Sequence, residues 1–77
     1  MKTQHIAEVY GGLKAAEQMA ELLYQEIQRL KNGKGVVDEA YESMRTAALL
    51  AIDVKRKIQD ARGWQAQGLH KNEANGG

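Results

Sequence analysis

The sequence contains no cysteine, so neither a disulfide nor a thiolate-bound metal can stabilise this chain. Proline and phenylalanine are also absent, and the aromatic residues are one Trp and three Tyr. The two histidines, His5 and His70, stand far apart, so they show no metal-ligand spacing. A chain of 77 residues has a small core, worth roughly 3–5 kcal/mol unaided. With disulfides and metals excluded, oligomerisation is the remaining way to reinforce it.

The sequence also lacks a large excess of positive or negative charge and a long apolar stretch. The formal net charge is +1, which gives no strong field toward nucleic acid or an anionic membrane. The longest apolar run, Ala47–Ile52, has six residues, far fewer than the roughly 20 that span a bilayer. Residues 1–5 lead into an amphipathic pattern instead of a hydrophobic signal core. We therefore expect a cytoplasmic protein that does not enter a membrane.

Helix-forming residues dominate what is present, and apolar residues recur in alternating steps of three and four over residues 6–30. This spacing predicts a first helix over about residues 3–32, with coiled-coil-like packing. Gly11 and Gly12 lower the helix propensity, so a helix that starts at Gly12, with residues 1–10 as a separate arm, is an alternative. The positions of this stripe are Ile6, Val9, Leu13, Ala16, Ala20, Leu23, Ile27 and Leu30.

A second stripe with the same steps follows a glycine-rich segment. It predicts a turn at 33–35 and a second helix over about residues 36–62, where Gly63 is a natural stop. Residues 65–77 lose the pattern and gain Gly and Asn, so we expect a flexible tail there. The stripe consists of Val37, Ala40, Met44, Ala47, Ala51, Val54, Ile58 and Ala61.

A short turn returns the second helix antiparallel to the first, so the predicted fold is an all-α, two-helix hairpin over residues 1–64. Folding the chain at the turn places Ile6 opposite Ala61. Two layers in the middle of the hairpin then contain only alanine and bury little apolar surface. We therefore expect two hairpins to form a homodimer, a four-helix bundle, that covers the large apolar residues left outside the seam.

The run Ala47–Ile52 shows why a second neighbour is expected, because a helix on one partner keeps one face in water. Trp64 either folds over the open end of the hairpin near Ile6 or anchors a partner. The tyrosines either cover the edges of the seam or frame a partner groove. The predicted interface with a second copy or another protein comprises Met19, Leu22, Tyr24, Tyr41, Ala48, Leu49, Leu50, Ile52 and Trp64.

Basic residues gather toward the open end of the predicted hairpin, where they could contact phosphates. Acidic residues are interspersed among them, and cations at a helix C-terminus are expected on stability grounds alone. A small DNA-associated transcriptional regulator is therefore the second hypothesis, without a recognition-helix or zinc-finger pattern to support it. The possible anion or nucleic-acid contacts are Lys14, Lys55, Arg56, Lys57 and Arg62.

Catalytic groups are scarce. Glu39-x-x-Glu42 resembles the acidic pair that holds magnesium in all-α nucleotide pyrophosphatases, but the matching acidic motif on the following helix is missing. A magnesium-dependent nucleotide hydrolase or nucleotide-binding bundle is therefore the third hypothesis. Ser43 is the only serine, and no histidine lies near it in the helical register. We expect no catalytic residue, no metal site and no cofactor.

These observations favour a non-enzymatic helical module for protein–protein interaction. It would bind itself and another, larger protein stoichiometrically, as an adaptor or an inhibitor. Compact accessory proteins of bacteriophages and other mobile elements, which block host regulators, are often built in this way, although no motif here carries that analogy.

Overall fold

The computed structural model describes residues 3–74, and the side chains of residues 3–70. This part of the chain consists of helix α1 (Thr3–Lys31) and helix α2 (Asp38–Ala74), without any strand. The two helices run antiparallel along a rod about 58 Å long. The prediction of an all-α helical hairpin is confirmed.

Helix α1 begins and ends close to the predicted bounds. It continues without interruption through Gly11 and Gly12, so the alternative of a separate arm over residues 1–10 is wrong for the described residues 3–10. Neither glycine has a positive φ. Two such residues cost roughly 1 kcal/mol each relative to alanine, a cost that the flanking helix formers evidently absorb.

The connection between the helices covers residues 32–37 and is longer than the predicted turn at 33–35. Gly33 closes α1 by donating its N–H to the carbonyl of Leu30 at 3.1 Å. Gly35 adopts a φ of 83°, the left-handed conformation that glycine reaches without strain. The carbonyl of Val37 accepts the N–H of Tyr41 at 2.9 Å and so begins the hydrogen-bond ladder of α2.

The register of the hairpin differs from the predicted one. Gln65 lies against Ile6, because its Nε2 donates to the Ile6 carbonyl at 3.3 Å. The predicted neighbour of Ile6 was Ala61, one helical turn earlier in α2. The predicted register is therefore wrong by about one helical turn at this end of the hairpin.

Helix α2 does not end at Gly63. It continues to Ala74, so the predicted end at residue 62 and the flexible tail are wrong for residues 65–74; residues 75–77 lie outside the described part. The register shift explains the difference, because it places the start of α1 beside residues 65–69 of α2. Gln65, Ala66 and Leu69 are half-buried there, and that contact favours helix over tail.

The core of the described hairpin is made of alanine. Ala20, Ala48 and Ala51 are the buried residues, each 5–7% exposed, and no large side chain is fully buried. An alanine-lined middle was predicted for this hairpin, although with Ala47 where Ala48 is found. A hairpin with such a core gains little from apolar burial within one chain.

Some residues of the predicted seam are not buried between the two helices. The helices meet through a narrow strip, because one helix can cover only part of a wide apolar stripe. Six residues of the predicted seam are exposed, and the five large ones among them are at least 47% exposed. The seam residues whose predicted burial is wrong are Val9, Leu23, Leu30, Val37, Val54 and Ala61.

Candidate interaction site

An open groove of about 420 Å³ runs along one side of the hairpin, between α1 and α2. Every residue that lines it is apolar. Its lining residues are Ala16, Met19, Ala20, Leu23 and Ile27 from α1, and Ala47, Leu50, Ala51, Val54 and Ile58 from α2.

The groove has a floor of small residues and walls of large ones. Ala20 and Ala51 are buried at the seam and form the floor. Met19 and Leu50 rise on the two walls and are 69% and 60% exposed. Without a polar side chain in the lining, the groove can bind apolar surface but offers no group for acid–base or nucleophilic chemistry.

The opposite side of the hairpin is closed by polar contacts between the helices. Lys55 Nζ lies 2.5 Å from Glu21 Oε1. Gln59 Nε2 donates to Glu17 Oε2 at 2.8 Å, and Arg62 Nη1 forms an ion pair with Glu17 Oε1 at 2.9 Å. Two carboxylates of α1 therefore hold three residues of α2, and they do so on one side only.

The electrostatics of this polar side follow from those contacts. The hydrogen bond from Lys55, aided by its positive charge, lowers the pKa of Glu21 below the ordinary value, against a smaller opposing effect of burial. Glu26 has a lowered pKa for the same kind of reason, a hydrogen bond from Arg29 within α1. Of these two hydrogen bonds, the one to Glu21 joins the two helices, whereas the one to Glu26 lies within α1.

Six of the predicted interface residues are exposed: Met19, Leu22, Tyr41, Leu49, Leu50 and Trp64. The structure divides them, since Met19 and Leu50 line the groove, whereas Leu22 and Leu49 do not. Leu22 lies in a shallow depression with Gln25, Glu26 and Arg29 on the outer surface of α1.

Three other predicted interface residues lie outside the groove lining, and for Ala48 the prediction is wrong. Ala48 is 5% exposed, so it has almost no surface for a partner. Ile52 is half-buried and lines a cleft on the polar side together with Tyr24 and Lys55. The Tyr24 hydroxyl accepts a hydrogen bond from Gln28 Nε2 at 3.0 Å. Ala48 is thus buried in the seam, whereas Tyr24 and Ile52 are half-buried beside it on the polar side.

Tyr41 and Trp64 lie outside the groove lining. Tyr41 is partly exposed, and Lys31 Nζ lies 5.1 Å from the centroid of its ring. Trp64 is 73% exposed, so the expectation that it folds over the open end of the hairpin is wrong. It remains available as an anchor for a partner.

The predicted basic set does not form a free patch. Lys55 and Arg62 are engaged by carboxylates of α1, and Lys14 Nζ lies 5.9 Å from the centroid of the Tyr10 ring. Arg56 and Lys57 are exposed, without an ion pair among the described residues. Two unpaired cations on one helix give a weak phosphate site.

The acidic pair of the third hypothesis is at the start of α2. Glu39 is exposed, and Glu42 lies 3.3 Å from Arg45. Among the side chains of residues 3–70, no group of three His, Cys, Asp or Glu residues is placed to hold a metal ion.

Sequence reasoning identified two of the ten groove residues, Met19 and Leu50, as interface and assigned the other eight to the seam. A signal for the groove is present in the sequence. Each α1 residue of the lining has a counterpart in the lining exactly one interval of 31 residues later, in α2. The pairs are Ala16/Ala47, Met19/Leu50, Ala20/Ala51, Leu23/Val54 and Ile27/Ile58.

No protein-family model, curated protein or solved structure shows a significant match to this chain. Neither described helix has a stretch apolar enough to cross a membrane. The case for a function therefore depends on the groove and its surroundings.

Proposed function

We propose that this chain is a non-enzymatic, cytoplasmic helical module for protein–protein interaction. It associates with itself through the apolar groove to form a four-helix bundle, and it binds a further protein stoichiometrically as an adaptor or inhibitor. The observation that supports this most directly is the contrast between a core of three alanines and an open groove lined only by apolar residues.

The energetics are compatible with association. Burying an exposed Leu, Val or Met side chain gains roughly 1.5–3 kcal/mol. The groove walls present four such side chains in each copy, namely Met19, Leu23, Leu50 and Val54, all at least half exposed. Because these side chains are already partly covered, burying them in both copies gains about as much as the rotational and translational cost of forming a dimer, which lies between about 4 and 15 kcal/mol.

A further protein would use apolar residues that the groove does not include. Leu22, Leu49 and Trp64 are exposed on other parts of the surface. Trp is enriched among residues that dominate binding energy, because its ring offers a large rigid contact. Small inhibitors encoded by phages and other mobile elements act in this stoichiometric way, and we place the chain with them by analogy of size and architecture alone.

Adjacent leucines provide a matched test of self-association. Leu49 and Leu50 are 61% and 60% exposed, but only Leu50 lines the groove. We expect Leu50→Glu to convert the dimer to a monomer of reduced helicity, because it places a charge in the interface. Leu49→Glu should leave the dimer intact. Sedimentation equilibrium and circular dichroism measure both, and a dimer that survives Leu50→Glu would contradict self-association through the groove.

The binding of a further protein needs its own test. Affinity capture from a lysate of the source cells should return one protein in stoichiometric amount with the unchanged chain. Trp64→Ala should weaken that capture while the dimer persists in sedimentation. Capture of many proteins in small amounts, unaffected by Trp64→Ala, would contradict the adaptor or inhibitor role.

A further inference from the structure

The groove has an approximate two-fold symmetry of its own. Its lining residues form five pairs separated by a constant 31 residues, and the members of each pair are identical or similar in chemistry. In two antiparallel helices, a constant separation of this kind corresponds to a two-fold axis that passes between them, perpendicular to the groove. The axis passes through the buried pair Ala20 and Ala51.

Each wall also has a small end and a large end. On α1, Ala16 and Leu23 are one heptad apart, a distance of about 10.5 Å along the helix. On α2, Ala47 and Val54 have the same spacing, but the reversed direction of α2 places its small residue opposite the large residue of α1. Large and small side chains therefore occupy alternate corners of the groove.

We infer that the occupant of the groove is the groove of a second copy, centred on Ala20 and Ala51. When a second copy is turned face to face about this centre, the large corners of one copy lie on the small corners of the other. Leu23 and Val54 of each copy then insert beside alanines of its partner, as knobs enter holes. This inference rests on the proposed function and adds the register of the dimer.

Self-complementarity is what distinguishes a second copy from an unrelated partner. An isologous dimer requires one surface that fits itself under a two-fold rotation, and the groove meets that requirement at each corner. The lining carries no charge, and the net charge of the chain is only +1. Two copies can therefore approach without strong mutual repulsion. An unrelated helix would need neither the repeated pairs nor the alternation.

Cysteine cross-linking tests the register directly, because the natural chain has no cysteine to give a background. Met19 and Leu50 stand on the two walls nearest the central layer. In a dimer centred there, a cysteine at either position lies near position 19 or 50 of the partner, whichever direction the second hairpin runs. We expect the full-length variant Met19→Cys/Leu50→Cys to form interchain disulfides with oxidised glutathione.

The matched control is Leu22→Cys/Leu49→Cys, two residues of similar exposure outside the groove. Proximity should make the groove variant cross-link about tenfold faster than this control, read as covalent dimer on non-reducing gels. Sedimentation of the reduced proteins is measured in parallel. A dimer in solution with equal or slower cross-linking of the groove variant overturns the register but leaves self-association standing. A monomer without cross-links overturns both.

Discussion

The two sides of the hairpin are built from the same two helices. One side is closed by contacts within the chain, and the other is open to solvent. On the polar side, Glu17 and Glu21 of α1 find partners in Lys55, Gln59 and Arg62 of α2. On the apolar side, the walls of the groove face solvent. Within one chain, the polar side chains therefore have partners, whereas the large apolar side chains of the groove remain exposed.

The comparison shows that the two kinds of contact have different roles. Polar contacts are directional, so the partners of Glu17 and Glu21 help to define how far α2 is displaced along α1. They add little stability, because exposed ion pairs are worth at most about 1 kcal/mol. Apolar contacts are non-directional but carry most of the free energy of folding and association. The polar side thus helps to set the register of the hairpin, and the apolar side presents the surface whose burial can add stability.

The largest effect is expected at the alanine waist, by which we mean the buried residues Ala20, Ala48 and Ala51 between the two sides. Ala51→Leu should lower the free energy of unfolding by about 1–3 kcal/mol, because the extra methylenes must force the helices apart. Ala51 is 5% exposed at the floor of the groove, so a larger side chain there presses against α1 or occupies the space proposed for the second copy. Urea unfolding monitored by circular dichroism measures the loss.

Ala15→Leu is the control for the waist, since Ala15 is exposed on α1. It adds the same atoms where the solvent has room for them, and its effect should be close to zero. An equal effect of the two substitutions would show that the helices are not in close contact at Ala51. The two sides of the hairpin would then not share a waist.

A smaller effect, of opposite sign, is expected at Gly11. A Cβ built there meets nothing within 4 Å, and the residue has an ordinary helical conformation. Gly11→Ala should therefore raise the free energy of unfolding by about 0.5–1 kcal/mol through helix propensity. The dissociation constant of the dimer should not change, because this substitution lies outside the groove lining.

Gly35→Ala is the matched control, because its φ of 83° suits glycine and strains alanine. It should destabilise the hairpin, although open space surrounds that position as well. Stabilisation by both substitutions would mean that the connection does not need its left-handed residue. Together with Leu50→Glu, this pair separates the stability of the helices from the strength of their association.

The sequence was sufficient to predict the two helices, but it did not show which face of each helix turns toward the other. Steps of three and four predicted both helices and the hairpin, and the surplus of large apolar residues predicted the exposure of Met19, Leu22, Leu49 and Leu50. The apolar stripe is wider than the strip that one neighbouring helix covers. The pattern alone therefore could not show whether Ile52 or Val54 would face the other helix, and the structure buries Ile52 more deeply.

The register and the end of α2 depended on contacts between distant residues. Gly63 was a reasonable stop by local propensity, yet the contact of Gln65 with Ile6 extends the helix beyond it. The groove was partly readable, because the interval of 31 residues that relates Ala20 to Ala51 is visible in the sequence. The interval could be interpreted only with the structure, because a constant interval corresponds to a two-fold axis when the two helices are antiparallel.

The smallest effect is expected on the polar side, at the contact between Lys55 and Glu21. The hydrogen bond from Lys55 lowers the pKa of Glu21, so the carboxylate contributes stability above its ordinary pKa of 4.5. That contribution is lost as the pH falls through the lowered pKa of the folded state. Lys55→Met should therefore reduce stability slightly at neutral pH, and the difference from the unchanged protein should vanish in acid.

Carboxyl carbon shifts followed by NMR against pH give the decisive measurement. In Lys55→Met, the pKa of Glu21 should rise toward its ordinary value, since the donor is gone. The pKa of Glu26 should stay lowered, because its partner Arg29 is untouched and lies in the same helix. A Glu21 pKa that does not move would show that the polar side is not closed by this contact, and the contrast between the two sides would then rest on Glu17 alone.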